Sequence, residues 1–230
     1  METTFILVKE LIKNYDMGDV TVKALQGINL SIYKGKLTII LGPSGCGKST
    51  LLNIIGGIDT TTSGKVKIED KVITDFGEKD LTLFRRQDIG FIFQFFNLIP
   101  SLTVLENVEI SARLVFSKKE AYERSIDILE LVGLKEKINK FPQQLSGGEQ
   151  QRIAIARALV KEPKVILADE PTGNLDSVTG QKIIDLMVKI AKSQGTTFII
   201  VTHNDSFTKS ADNIIYLQDG KVKKSASTAS

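Results

Sequence analysis

Eight residues, Gly42-Pro43-Ser44-Gly45-Cys46-Gly47-Lys48-Ser49, constrain this chain more than any other stretch. They read G-x-x-x-x-G-K-S. The apolar run Leu37 to Leu41 before them predicts a buried strand, and Thr50 to Ile55 after them a helix. Strand, glycine loop and helix together form the setting of a phosphate-binding loop. Glycines let backbone N–H groups turn inward around an anion. The helix start adds its unpaired N–H groups and its dipole at the same point. Lys48 then supplies a point charge for the β- and γ-phosphates, and Ser49 a hydroxyl for Mg2+. Gly42, Pro43, Ser44, Gly45, Cys46, Gly47, Lys48, Ser49 and Thr50 are the expected nucleotide contacts. Cys46 is also expected to carry an acidified thiol, since a helix start and Lys48 both favour thiolate, and so to report on the site.

The 230 residues are 42% hydrophobic and 25% charged, with a net charge of +3. That composition suits one large globular α/β domain or a domain with a sub-domain. The small, unclustered charge gives no electrostatic footprint for nucleic acid, and no nucleic-acid partner is expected. A single cysteine excludes an intramolecular disulfide. No signal-peptide pattern opens the sequence, and no apolar run reaches bilayer length. A soluble protein is expected, with any membrane role supplied by a partner.

Along the chain, Phe5–Val8 and Ile28–Ile32 predict strands, with Tyr15 and a turn near Gly18 between them. Lys34-Gly35-Lys36 turns into the strand that precedes the loop. Residues Gly64–Glu69 alternate as a half-buried strand. A short helix is expected from Lys79 to Arg86, then a strand over Ile89–Gln94. From Phe95 to Pro163 the pattern becomes helical, with helices at Thr103–Leu114 and Ser117–Val132. Ser117 with Glu120, and Ser146 with Glu149, form capping boxes, and Gly133 a C-terminal cap. Lys164 to Asp169 is an apolar run of the kind buried on both faces of a sheet. Ser177–Gln194 predicts a helix closed by Gly195, Thr197–Thr202 another buried strand, and Ile214–Leu217 with Lys221-Val222 a hairpin around Asp219-Gly220. Ser225 to Ser230, which contains only Ser, Ala and Thr, is expected to be a disordered tail.

A nucleotide triphosphatase also needs Mg2+ ligands and a group that positions water. Asp169 and Glu170 close the apolar run, and neighbouring strand residues face different ways. Asp169 is the expected metal ligand and Glu170 the general base. His203, the only histidine, follows the strand Thr197–Thr202, at the edge where ligand loops gather in parallel sheets. Leu145-Ser146-Gly147-Gly148-Glu149-Gln150-Gln151-Arg152 places two glycines in a helix's first turn. Their cost to the helix makes sense if the backbone there approaches another group.

On these motifs, residues 1–224 resemble the nucleotide-binding domain of an ATP-binding cassette (ABC) transporter. Gly42 to Ser49 resembles the family's Walker A, Val165 to Asp169 its Walker B, and Leu145 to Arg152 its signature sequence. Gln94 matches the Q-loop glutamine, His203 the switch histidine and Tyr15 the aromatic that stacks on adenine. Gly173-Asn174-Leu175-Asp176 resembles the D-loop, whose common form is Ser-Ala-Leu-Asp, so Leu175 and Asp176 carry over.

The resemblance implies an α/β fold: a P-loop core with a mostly parallel sheet, an N-terminal antiparallel β sub-domain and an inserted helical sub-domain. The core would span 1–94 and 164–224 and the insertion about 95–163. It also implies ATP and Mg2+ as cofactors, with catalytic roles for Glu170, His203 and Gln94, and metal contacts from Ser49, Gln94 and Asp169. Two chains would pair head to tail, each ATP lying between one P-loop and Ser146, Gly147, Gly148 and Asp176 of the other.

The stretches Leu83–Arg86, Ile89–Pro100 and Thr103–Val108 further resemble the lipoprotein-release, macrolide-exporter and bacitracin-resistance ATPases. These imply a membrane permease subunit, transport of peptides, lipoproteins or antimicrobials, and a peripheral place on the cytoplasmic face of the membrane. Phe95, Phe96 and Leu98 would be the apolar contact for that permease. A cell-envelope regulator without transport, or a nucleic-acid-associated ABC ATPase, are the competing readings.

Overall fold

Alternation within the apolar strands fixes two packed layers on either side of one sheet. In the computed structural model, which describes residues 3–227, β1 (Thr4–Met17) and β2 (Val20–Tyr33) form a long antiparallel hairpin. After β3 (Leu37–Leu41) and α1 (Lys48–Ile55), β4 (Ser63–Ile68) returns to pair with β1, and β5 (Lys71–Val72) pairs with β4. The result is an antiparallel sheet of order β2-β1-β4-β5. The chain continues through α2 (Glu78–Gln87), β6 (Ile89–Ile92), α3 (Val104–Ala112), α4 (Lys118–Leu131), α5 (Gly147–Leu159) and β7 (Val165–Asp169). It ends with α6 (Ser177–Gln194), β8 (Thr197–Thr202), β9 (Asn213–Gln218) and β10 (Lys221–Ser227). The second sheet has the order β10-β9-β3-β8-β7-β6. It is parallel except for the β9–β10 hairpin.

Each central strand buries both faces. In β7, Ile166 and Ala168 enter the core shared with α3 to α6, while Val165 and Leu167 enter the core shared with α1 and the first sheet. Phe198 and Ile200 against Ile199 and Val201 repeat that division in β8. Strands covered on both sides read as unbroken apolar runs, which is why β3, β7 and β8 were legible.

Between β6 and β7 the described chain is helical. Asn107, fully buried on α3, fixes the approach to that block. Its Oδ1 accepts from Ile99 N at 2.8 Å, and its Nδ2 donates to Ile99, Leu102 and Thr103 carbonyls at 2.9–3.1 Å. The buried amide is thereby satisfied.

Three expectations need correction. The arms of β1 and β2 run well past the expected apolar cores, so Tyr15 sits within β1 and not in a connection. Their tips, residues 15–17 and 20–23, are exposed, so burial imposes no apolar pattern there. β6 ends at Ile92, so Phe93 and Gln94 have left the sheet. Ser225 to Ser227, expected in a disordered tail, pair with β9 as the end of β10. The remainder of that tail lies outside the described residues.

Candidate functional site

The glycine loop folds back over its own lysine. Gly47 adopts φ 103°, and a Cβ there would meet the Ala24 carbonyl oxygen at 2.5 Å. Only glycine satisfies both the conformation and the close approach. Lys48 is buried, and its Nζ donates to the Gly42 and Pro43 carbonyls at 2.8 and 2.9 Å. The β9–β10 turn braces the loop from outside, Gly220 N donating to Cys46 O at 3.1 Å.

The ends of β7 and β8 come to the same edge. Ser49, in the first turn of α1, donates its hydroxyl to Asp169 Oδ1 at 3.0 Å. Burial pushes the Asp169 carboxyl up, the Ser49 bond works against this, and Glu170 adds to it. Glu170 takes a left-handed backbone, φ 44°, while its N–H continues the β7–β8 ladder to Val201 O at 3.0 Å. A non-glycine residue held there costs on the order of 1–3 kcal/mol, and such strain collects at functional sites. The turned backbone aims the Glu170 carboxylate at β8. Oε1 lies 3.0 Å from His203 Nδ1, and Oε2 accepts from the Thr202 hydroxyl at 3.0 Å. Sequence reading missed Thr202, because a threonine ending an apolar strand carries no distinguishing pattern.

Gln94 joins this edge through the turn after Glu170. Asn174 Nδ2 donates to Gln94 O at 2.8 Å, and Gly173 N donates to Glu170 O at 3.0 Å. Beyond Gln94, Phe96 and Asn97 are both left-handed, with φ 56° and 49°. Arg157 of α5 reaches the carbonyls of both.

Ser146 caps α5 and shares the box with Glu149, whose Oε2 accepts from Ser146 N and Oγ at 2.9 Å. The Lys137 ion pair comes first, and the Ser146 N–H second, in holding the Glu149 carboxyl down to about 2. Asp176 caps α6 through Val178 N and Thr179 N. The two glycines of this helix start have a partner within the chain. A Cβ on Gly148 would stand 2.6 Å from Thr179 Cγ2, and one on Gly147 3.2 Å from Leu175 Cδ2. The close approach expected for an outside group is therefore met, in part, by the D-loop and α6.

Tyr15 is partly exposed. Its hydroxyl donates to Asp59 Oδ2 at 2.5 Å, and Lys13 Nζ lies 4.7 Å from the ring centre. Burial and then the Asp59 bond push the phenol up, and Thr50 opposes them. Cys46 departs from expectation: it is buried, and burial pushes its thiol up, with the Lys48 charge offsetting only part. An acidified reporter thiol is not what the loop holds. The apolar cluster after Gln94 also divides. Phe95 is 72% exposed, Phe96 is half-buried, and Leu98 packs on the core.

Ser49 Oγ and the Asp169 carboxylate are oxygen donors of the type Mg2+ takes. Among the described residues no cluster of three or more His, Cys, Asp or Glu converges as an all-protein cage. The loop and Lys48 suit a polyphosphate. No described helix is long and apolar enough to cross a membrane.

A family model described as ABC transporter matches residues 25–173. The chain is 47% identical to the uncharacterized ABC transporter ATP-binding protein MJ0796 of Methanocaldococcus jannaschii, over 95% of each chain. It is 44% identical to the lipoprotein-releasing system ATP-binding protein LolD of Legionella pneumophila, over 96% of this chain and 98% of that one. A solved dimeric structure of a post-hydrolysis state of the MJ0796 cassette, bound to ADP and Pi, superposes with a TM-score of 0.89 at 44% identity. It covers 98% of this chain and 99% of its own.

Proposed function

We infer the function from one premise: the chain belongs to the ABC transporter family, as an ATP-binding subunit. From it we propose a Mg2+-dependent ATPase whose two copies close head to tail around two ATP and drive a membrane permease. In this reading Lys48 exchanges its loop carbonyls for β- and γ-phosphate oxygens. The N–H groups of residues 44–50 line the phosphates, and a purine stacks on the Tyr15 face away from Lys13. Ser49 and Asp169, with Gln94, hold Mg2+, which when bound neutralises charge developing on the phosphates. Glu170 accepts the proton of the attacking water. His203 and Thr202 hold that carboxylate in place, and His203 extends towards the γ-phosphate. Ser146, Gly147, Gly148 and Asp176 face the nucleotide of the partner subunit.

The observation that carries this reading is the convergence at one sheet edge: Ser49 with Asp169, and Glu170 with His203, each at 3.0 Å. The relatives named as lipoprotein-releasing ATP-binding proteins support a permease that extracts or exports lipoproteins or similar amphipathic cargo. We propose that, through this partner, the chain works at the cytoplasmic face of the membrane. We assign the helical insertion to about 95–163. The test is Glu170→Gln, which should leave ATP binding intact and lower turnover on the order of a hundredfold or more. ATP should then trap the dimer in gel filtration. Undiminished turnover would remove Glu170 from the role.

A further inference from the structure

We infer that Gly173 and Asn174 are positioning residues for Gln94, docking it onto the turn that follows Glu170. The contact stands on geometry alone; its consequence for turnover rests on the proposed role of Gln94. The Gln94 side chain lies across the Cα of Gly173. A Cβ on residue 173 would stand 2.9 Å from Nε2 and 3.3 Å from Cδ and Cγ. Gly173 is not among the residues of positive φ, so its backbone conformation does not demand glycine. What the missing side chain provides is room for Gln94. The next residue completes the dock, Asn174 Nδ2 donating to Gln94 O at 2.8 Å.

The same turn is tied at its other end to Glu170 O, through Gly173 N. One short turn therefore carries Glu170 at its start and grips Gln94 at its end. From the far side, Arg157 holds Phe96 O at 2.8 Å and also Asn97 O, keeping two residues in left-handed backbone. The segment from Gln94 to Asn97 is thus held at its start by the β7–α6 turn and at its end by α5.

The experiment uses the full chain and four variants: Gly173→Ala, Asn174→Ala, Gln94→Ala, and Gly173→Ala combined with Gln94→Ala. Thermal unfolding reads the contact without reference to activity. Gly173→Ala should lower Tm by about 2–4 °C when Gln94 is present. It should have a much smaller effect beside Gln94→Ala, where nothing is displaced, because contacting residues are not additive. In ATPase assays Gly173→Ala and Asn174→Ala should lower kcat several-fold with little change in KM, and Gly173→Ala should add nothing in the Gln94→Ala background. An equal Tm loss in both backgrounds would overturn the dock. A coupled Tm loss with full turnover in Gln94→Ala would uphold the dock and remove Gln94 from the proposed chemistry.

Discussion

His203 Nδ1 and Glu170 Oε1 lie 3.0 Å apart across the ends of β8 and β7, and Thr202 holds the other carboxylate oxygen at the same distance. Thr202, the last residue of β8, and His203 just after it thus orient the carboxylate of Glu170, which follows the end of β7. Strand alternation should send neighbours to opposite faces, but His203 follows the end of β8, where the chain has left the ladder.

This arrangement makes Thr202 a positioning residue. Thr202→Val keeps the shape and removes the hydroxyl that donates to Glu170 and accepts from Asn204 N. Misplacing a catalytic group by a fraction of an ångström to an ångström costs about ten- to a hundredfold. Steady-state assays should show that loss in kcat with little change in the KM for ATP. A normal kcat would show that His203 alone suffices.

Phe95 is exposed where its neighbours Phe96 and Leu98 are not, so it separates binding from folding. Phe95→Asp should leave Tm and basal ATPase at their normal values and abolish co-purification with a membrane permease, since aromatic anchors dominate interface centres. Retained co-purification would move the permease contact elsewhere. The same experiment at Phe96 would mix both effects.

Glu149 predicts an acid-side signature. Its folded carboxyl is held at about 2 against an ordinary 4.5. A depressed acid contributes stability above its unfolded value and loses it as pH falls through the folded one. Its contribution should therefore disappear between pH 4.5 and about 2. Glu149→Gln can still accept the Ser146 N–H bond but loses the Lys137 ion pair. Urea unfolding should show the variant less stable at pH 7 and converging on the parent towards pH 2. Parallel curves would mean the ion pair adds nothing.

Features set by local sequence were readable in advance. The P-loop, the doubly buried strands β3, β7 and β8, and α6 between Asp176 and Gly195 all announce themselves through composition, caps or unbroken apolar runs. The capping boxes of Ser117 and Ser146 did so as well. What was not readable depends on distant segments meeting. The contact of Gln94 with Gly173 joins residues from two strand ends, and nothing at either position signals it. Thr179, against which an added Cβ on Gly148 would stand at 2.6 Å, lies 31 residues along the chain, and nothing near Gly148 announces it. Cys46 looked acidified because Lys48 is adjacent in sequence; burial, invisible in the sequence, outweighs that charge.

The central claim is a shared site, and it is tested by mixing two inactive subunits. Lys48→Ala removes a phosphate contact from the P-loop. Ser146→Asp keeps a good helix cap but sets a carboxylate where the partner's γ-phosphate would lie. It also avoids the clash with Thr179 that any side chain at Gly148 would create. Each variant alone damages both sites of its own dimer and should be inactive. In a mixed dimer, one site carries both lesions and the other pairs the intact P-loop of the Ser146→Asp subunit with the intact Ser146 of the Lys48→Ala subunit. Turnover and ATP-dependent cross-linking should be measured together on the mixture. The account predicts an ATP-dependent heterodimer with nucleotide held at one site, together with restored turnover if a single site can fire. A mixture that neither hydrolyses ATP nor forms that heterodimer would contradict it.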